Sequence, residues 1–473
     1  MTKKVYLKKD SNDEVIKLKK KIDKIVSKNS FKLLTNIFSN ISSIPKNLVD
    51  LKLKRLLYNS HDWQNKQAPW VWSGYLINFL YFFLGLILVI ASISFIKKKI
   101  NNNRFKLIID NVEGKATFGL YKKLINNLKN VLIISKNNFK INRYNSLSGT
   151  SAIFIRNSYD GNRIVLINFL FKTFYYSIKY RINFSKLFSH LTISFLKYSN
   201  IFYQNRSYNL IYNRIHYSCP IKDFIFKKYG GKKILCIQYH LNEGTLIPFS
   251  NIDIFCTFGK EKDSLKKIKY YGGSINSQRA IGSLIMETEL GKKINNNLKP
   301  IDILFIGINL TDSVHLNKQY HKNYYRALRW LDKLSNDFPS LNIIYKHHPT
   351  FEGDKLESQI FSKKNIKIIS KDKKFSSYHF MLKSKILLSF ASTMILEGIG
   401  IGKKAYFLDP ELKNYTYFSF LKFCKKIRIK SYKELKKIIK LNINKKRFKK
   451  NLLRKNYCLS SLEVTKKITK LLK

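Results

Sequence analysis

The chain has 473 residues, 45% of them hydrophobic, more than one core can use, so two or three domains are expected and a disordered tail is excluded. Its formal charge of +60 runs along the whole sequence with no arm singled out. Lys dominates over Arg beside abundant Asn and Ile, the composition of an AT-rich coding sequence, so no nucleic-acid partner is expected, while anionic lipid and nucleotide phosphates remain as partners. Five cysteines (Cys219, Cys236, Cys256, Cys424, Cys458), an odd number with no C-x-x-C pair, argue against a disulfide framework or a zinc site and fit a reducing compartment.

Residues 1–69 form a basic N-terminal segment whose stretch 14–58 is helical and amphipathic (EVIKLKKKIDKIV, FKLLTNIFSNI), suited to a negative leaflet. Residues 70–96 carry no charge, and at 1.5 Å per residue the run exceeds a hydrocarbon core of roughly 30 Å. Trp70, Trp72 and Tyr75 at one end and Lys97, Lys98 and Lys99 at the other suit the two interfaces. A transmembrane or membrane-inserted helix is expected here, starting too late and running too long for a signal peptide. The slightly denser basic residues that follow put the C-terminal part on the cytoplasmic side of an inner membrane; with both flanks basic, a re-entrant insertion stays open.

From residue 105, short apolar runs alternate with helical patterns (KLIID, LYKKLINNLKN, VLIIS, SAIFI), which suggests βαβ units. Residues 164–198 interleave Phe, Tyr, Leu and Ile with Lys and Arg, the pattern either of core helices or of a basic-aromatic surface against a membrane. KKILCIQY and IDIFCTFG close a first α/β domain over 105–285, with YYGGSINSQRAIGS as a glycine-bearing connection. A second α/β domain, 300–430, has strands IDILFIGI, NIIYK, IKII, KILLSF and KAYFLD with helices between them, a doubly wound sheet that binds ligands at its carboxyl edge. Residues 431–473 form a basic helical tail. The fold class expected is α/β, two Rossmann-like doubly wound halves preceded by the membrane helix.

Two motifs carry chemistry. In SFASTMILEGIGIGKKAYFLDP a strand ends at Ser389 and small hydroxyl residues open a helix, so free N–H groups with the Ser392 and Thr393 hydroxyls suit a phosphate. Glu397, one turn beyond Thr393, can reach a ribose hydroxyl of the same nucleotide; plain N-capping with Glu397 in solvent fits the same spacing. In YKHHP, at another strand end, Lys346, His347 and His348 offer donors to a pyrophosphate leaving group, the alternative being a structural His pair.

Strand-KHHP followed about forty residues later by S-x-x-S-T-x-x-x-E-G resembles the donor-nucleotide half of GT-B-fold transferases. The likeness, over about residues 232–410, is to bacterial surface-polysaccharide glycosyltransferases and the CDP-glycerol glycerophosphotransferase group. It implies a GT-B-like fold and a donor site of Lys346, His347, His348, Ser389, Ser392, Thr393 and Glu397, with Gly307 and Asn309 cradling the donor. It also matches Gln238-Tyr239-His240 to a Gln-His-Gly loop, which makes His240 a general base for the acceptor hydroxyl. Tyr239 interrupts that pattern and no glycine follows His240, so Glu243 is the substitute base; Arg279 is a further phosphate candidate. P-loop, nucleophile-elbow and H-E-x-x-H patterns are missing, so a metal-independent mechanism without a cofactor, the nucleotide-sugar being substrate, is expected.

The function implied is a membrane-associated glycosyltransferase passing a sugar from a nucleotide-sugar to a surface polysaccharide, such as a capsule, or to a lipid-linked glycan. The alternatives are a CDP-polyol phosphotransferase or nucleotide-sugar 2-epimerase of the same architecture, and a non-catalytic membrane-bound polyanion-binding protein.

Overall fold

The computed structural model describes residues 20–59, 74–94, 103–135, 145–148, 163–212, 214–240, 249–260, 273–292, 298–310, 318–361, 366–370, 376–410, 425–443 and 451–473. The run SAIFI and Glu243 lie outside them.

After a helical stretch that ends at residue 26 come helices α1 (Asn29–Ser42) and α2 (Lys46–Asn59). Their apolar faces belong to the first domain's core: Phe31 and Phe38 are fully buried, Phe31 4.8 Å from Phe184 and Phe38 5.6 Å from Phe169. Arg55 of α2 is buried as well, donating to Ser218 Oγ at 2.9 Å and to the Ile215 carbonyl at 2.8 Å. The amphipathic signal of this segment is accounted for, in its described part, by faces that pack on the core.

Helix α3 (Tyr75–Ser94) falls within the uncharged run. After it come β1 (Asn103–Phe105), β2 (Leu107–Val112), α4 (Lys115–Leu128), β3 (Val131–Ser135), β4 (Asn145–Ser148), α5 (Arg163–Tyr180), α6 (Phe184–Gln204), β5 (Asn205–Ser207), β6 (Asn209–Tyr212), α7 (Pro220–Lys228), β7 (Lys233–Ile237), β8 (Asn251–Thr257) and β9 (Ser274–Ala280). Seven of these strands form one parallel sheet in the order β4-β3-β2-β6-β7-β8-β9, and β1 pairs with β5 apart from it. Both faces are covered, so β2, β3 and β7 are almost wholly buried and carry the apolar runs LII, VLII and ILCI. Strand β9 corrects the sequence reading of SINSQRA as a connection. It is an edge strand, half exposed and polar, and its pairing with β8 from Asn251↔Ser274 to Thr257↔Ala280 leaves no hydrophobic signature.

Helix α8 (Leu284–Leu290) leads to β10 (Ile301–Ile306), α9 (Lys318–Asp337), β11 (Ile343–Lys346), α10 (Lys355–Ile360), β12 (Lys367–Ile369), α11 (Ser377–Lys383), β13 (Ser384–Ser389), α12 (Met394–Gly400), β14 (Lys404–Leu408) and β15 (Arg428–Ile429). The second sheet, again parallel, has the order β12-β11-β10-β13-β14-β15. Helices α13 (Tyr432–Asn442), α14 (Asn451–Tyr457) and α15 (Val464–Leu472) end the chain. The last of these returns to the first domain, where Val464, Ile468 and Leu472 join a cluster with Leu124 and Ile125 of α4.

Helix α3 lies lengthwise on α5 and α6. Phe82 sits 4.9 Å from Phe171 and 5.0 Å from Phe174, Asn78 Nδ2 donates to Asn183 Oδ1 at 2.9 Å, and Ser189 Oγ donates to the Tyr81 carbonyl at 3.0 Å. At Gly85 a Cβ would stand 2.7 Å from Ser189 Oγ and 3.1 Å from its Cβ, so a larger residue would have to turn the hydroxyl off the Tyr81 carbonyl. No helix among the described residues qualifies as long and apolar enough to cross a membrane.

Candidate active site at two topological switch points

In a doubly wound sheet, the crevice opens where successive connections leave to opposite sides. In the second sheet that point lies between β10 and β13, paired from Ile301↔Ser384 to Ile306↔Ser389. Gly307 follows β10 directly; its N–H donates to the Lys346 carbonyl at 2.9 Å, and a Cβ would stand 3.0 Å from Tyr345 Cε2 and 3.2 Å from the Lys346 oxygen. Asn309 is half buried in the same loop. Across the switch point, Ser389 Oγ donates to the Ile306 carbonyl at 2.7 Å and accepts from the N–H groups of Ala391 and Ser392 at 3.3 and 3.1 Å. Ser389 is thus a staple between the two strands. Ser392 Oγ accepts from the Met394 N–H at 3.3 Å, and Thr393 stands at the N-cap position of the seven-residue α12. The structure therefore brings together Gly307, Asn309, Ser392 and Thr393 along the crevice edge.

The YKHHP motif ends β11, one strand away, and its first two cationic groups turn inward. Lys346 Nζ is held by the carbonyls of Ser370 and Ile369, the second at 3.4 Å. His347 is buried, with Nδ1 3.0 Å from Ser370 Oγ and Nε2 3.0 Å from Glu357 Oε2. Glu357 also accepts from Tyr345 at 2.8 Å and Tyr324 at 3.3 Å, so the histidine is one node of a buried polar network joining α9, α10 and β11. Lys346 and His347, the residues expected at the pyrophosphate, are both buried and held by these internal hydrogen bonds. His348 stays on the loop, half buried, its Nδ1 2.9 Å from Thr350 Oγ1.

Glu397, in the middle of α12, is fully buried; its Oε1 accepts from Ser283 Oγ at 2.6 Å and its Oε2 from the Tyr378 hydroxyl at 2.9 Å. Ser283 caps α8, so this carboxylate bridges the segment leaving the first sheet to the second domain. Burial pushes its pKa up to about 7, against the pull of the two hydroxyl donors.

The first sheet has its own switch point between β2 and β6, and polar groups gather at that edge. The Tyr217 hydroxyl donates to Glu113, which follows β2. The guanidinium of Arg214, after β6, stacks 4.1 Å over the ring of Tyr239, which makes an edge contact with His240 at 4.4 Å. Gln238 fixes the turn after β7: its Nε2 donates to the His240 carbonyl at 3.2 Å, and its Oε1 accepts from the Phe258 N–H at 2.9 Å. Burial, then Glu397, raises the pKa of Tyr378, and Tyr239 lies near enough to add to the effect. Ser283, Glu397 and Tyr378 form one hydrogen-bonded run, and Tyr239 and His240 stand side by side in the turn after β7. Arg279 is exposed on β9.

Glu113, Arg214, Tyr217, Ser283 and Tyr378 escaped the sequence reading, for none stands in a recognisable motif. Their shared signal is position just after a strand or at a helix start, and for Glu113 and Arg214 it becomes visible only once the strand order is known.

No protein-family model and no curated protein matches the sequence. Solved structures match its fold over most of the chain. The S. aureus MnaA–UDP co-structure is 12% identical, covering 77% of this chain and 94% of that one at a TM-score of 0.43. The UDP-GlcNAc 2-epimerase of Methanocaldococcus jannaschii is 12% identical over 78% and 99%, also at 0.43. The wall teichoic acid polymerase TagF soaked with CDPG is 10% identical over 84% and 96%, again at 0.43. The likeness to these neighbours is one of fold alone.

Proposed function

We propose that the protein is a transferase that takes a glycosyl group from a nucleotide-sugar held at the second switch point and passes it to a hydroxyl of a surface polysaccharide or lipid-linked glycan held at the first, on the cytoplasmic side of an inner membrane. The observation that supports this reading is the buried Glu397 carboxylate between Ser283, after the last strand of the first sheet, and Tyr378 of the second domain. Glu397 already accepts two hydroxyl hydrogen bonds; a ribose diol would replace Ser283 and Tyr378 on the same two oxygens. The donor phosphates would then lie along Gly307, Ser392 and Thr393. As the bond from the sugar to the nucleotide diphosphate breaks, His240 would take the acceptor hydroxyl proton and the oxygen would form the new glycosidic bond. Arg214, whose Nε is buried without a hydrogen-bond partner among the described residues, has a donor left for an anionic acceptor or donor group.

The test is thermal stabilisation of the full chain in detergent by UDP, GDP, CDP, CMP and TDP, with Glu397→Ala as control. Selective stabilisation by one nucleoside diphosphate, lost in the variant, supports the donor site. A CMP-selective shift would move the donor to a CDP-polyol and the product to a phosphodiester. No stabilisation of a protein that still melts cooperatively would overturn the reading.

A further inference from the structure

Exposed apolar surface is concentrated in one place. Of the twenty exposed large hydrophobic residues among those described, nine lie on α3 and six on α5, so the exposure is a patch and not a scatter. Leu76 and Leu80 of α3 are 70% and 55% exposed, Ile164 and Phe171 of α5 62% and 52%. The helices run antiparallel and in contact, Phe79 at 6.1 Å from Phe174 and Phe82 at 4.9 Å from Phe171, so their outer sides form one face. A helix with one side on protein and the other in water is polar on the outer side; α3 has no charged residue anywhere along it.

The charges around the patch select the occupant. Helices α3, α5 and α6 contain no acidic residue, whereas Lys172, Lys179 and Arg181 are exposed on and just beyond α5. Lys179 Nζ lies 5.9 and 5.6 Å from the ring centroids of Tyr175 and Tyr180, and Tyr75 stands exposed at the adjoining end of α3. Tyrosines with lysines at one rim and aliphatic groups beyond are the arrangement of a headgroup boundary. A second copy would set two such cationic rims against each other, whereas an anionic bilayer neutralises them.

We infer that the α3–α5 face is a monotopic seat, buried in one leaflet of an anionic bilayer, with the Tyr175, Lys179 and Tyr180 rim at the headgroups and no crossing of the membrane. The inner side of α3 is fixed on α5 and α6 by the Asn78–Asn183 and Ser189–Tyr81 hydrogen bonds, so it cannot stand as an independent span. This inference does not rest on the transferase reading.

The test is flotation of the full chain with phosphatidylcholine vesicles, with and without phosphatidylglycerol. The wild-type chain should float with both and more strongly with the anionic ones. The double variant Leu80→Glu/Phe83→Glu should partition roughly tenfold or more weakly, while Leu462→Glu, at an exposed leucine elsewhere, should not differ from wild type. Lys172→Glu/Lys179→Glu should weaken the preference for phosphatidylglycerol, and a preference left unchanged would overturn the headgroup rim. Protease added outside the vesicles should cut on both flanks of α3. Unchanged flotation of the Leu80/Phe83 variant with its melting temperature kept would overturn the seat, as would a dimer that this variant alone dissolves while vesicle binding persists. Protection of one flank would overturn the single-leaflet placement.

Discussion

Glu397 has one hydroxyl on each carboxylate oxygen and no solvent, and its pKa stands at about 7 against an ordinary 4.5. Between those values the unfolded chain ionises while the folded one keeps its proton. Stability is therefore full below about pH 4.5 and falls as pH rises toward 7, by roughly 3 kcal/mol at most. Asp223, which burial raises to about 7, adds a slope of the same sign. Glu397→Gln should make the fall of the urea midpoint across this window shallower; an unchanged slope would mean that the folded carboxyl is already ionised. For His240, alanine should lower turnover by about 10²–10⁴-fold and leave the nucleotide-induced thermal shift in place. Loss of both would make the imidazole part of the turn after β7 and not a base. The sequence marks residue type and strand end, which is why Gly307, Ser392 and Thr393 could be placed on one edge. It does not mark which way a side chain turns: Lys346 and His347 turn inward because Ser370 and Glu357, on other elements, meet them there.

At the scale of elements, legibility follows burial. Strands covered on both faces are apparent by apolar runs, such as ILFI in β10 and ILL in β13, and α12 begins and ends where its hydroxyl residues and glycines indicate. Edge strand β9 carries no such run, and the one-sidedness of α3 depends on α5 and α6, some ninety residues away. Glycines sort in the same manner. At Gly259 a Cβ would stand 2.3 Å from the Asn456 backbone oxygen, whereas at Gly398 it would meet the flexible end of Leu387, also at 2.3 Å. Gly259→Ala should cost roughly 1–3 kcal/mol because backbone must move. Gly398→Ala should cost less, since Leu387 can rotate and the helix gains about 1 kcal/mol of propensity. Denaturant midpoints of the two variants check the order.

Across the whole molecule, the C-terminal segment ties the halves together. Its backbone bonds the first domain through Leu459 N–H to Phe258 O at 2.8 Å and Lys260 N–H to Lys455 O at 3.0 Å. Ser461 Oγ accepts from the Ser283 N–H at 3.0 Å, beside the Ser283–Glu397 contact. Helix α14 lies against α12, with Arg454 Nε 3.4 Å from the Ile399 carbonyl, and α15 completes the apolar cluster on α4. The segment thus belongs to both domains at once, a role that its basic, helical sequence does not disclose. Ending the chain after residue 450 should uncover that cluster and uncouple the sheets. Calorimetry of the truncated protein should then resolve two transitions where the full chain has one, and a stabilising nucleotide should raise only the transition of the second domain. A single transition that persists, shifted as a whole by nucleotide, would mean that the Glu397–Ser283 contact couples the domains without the segment.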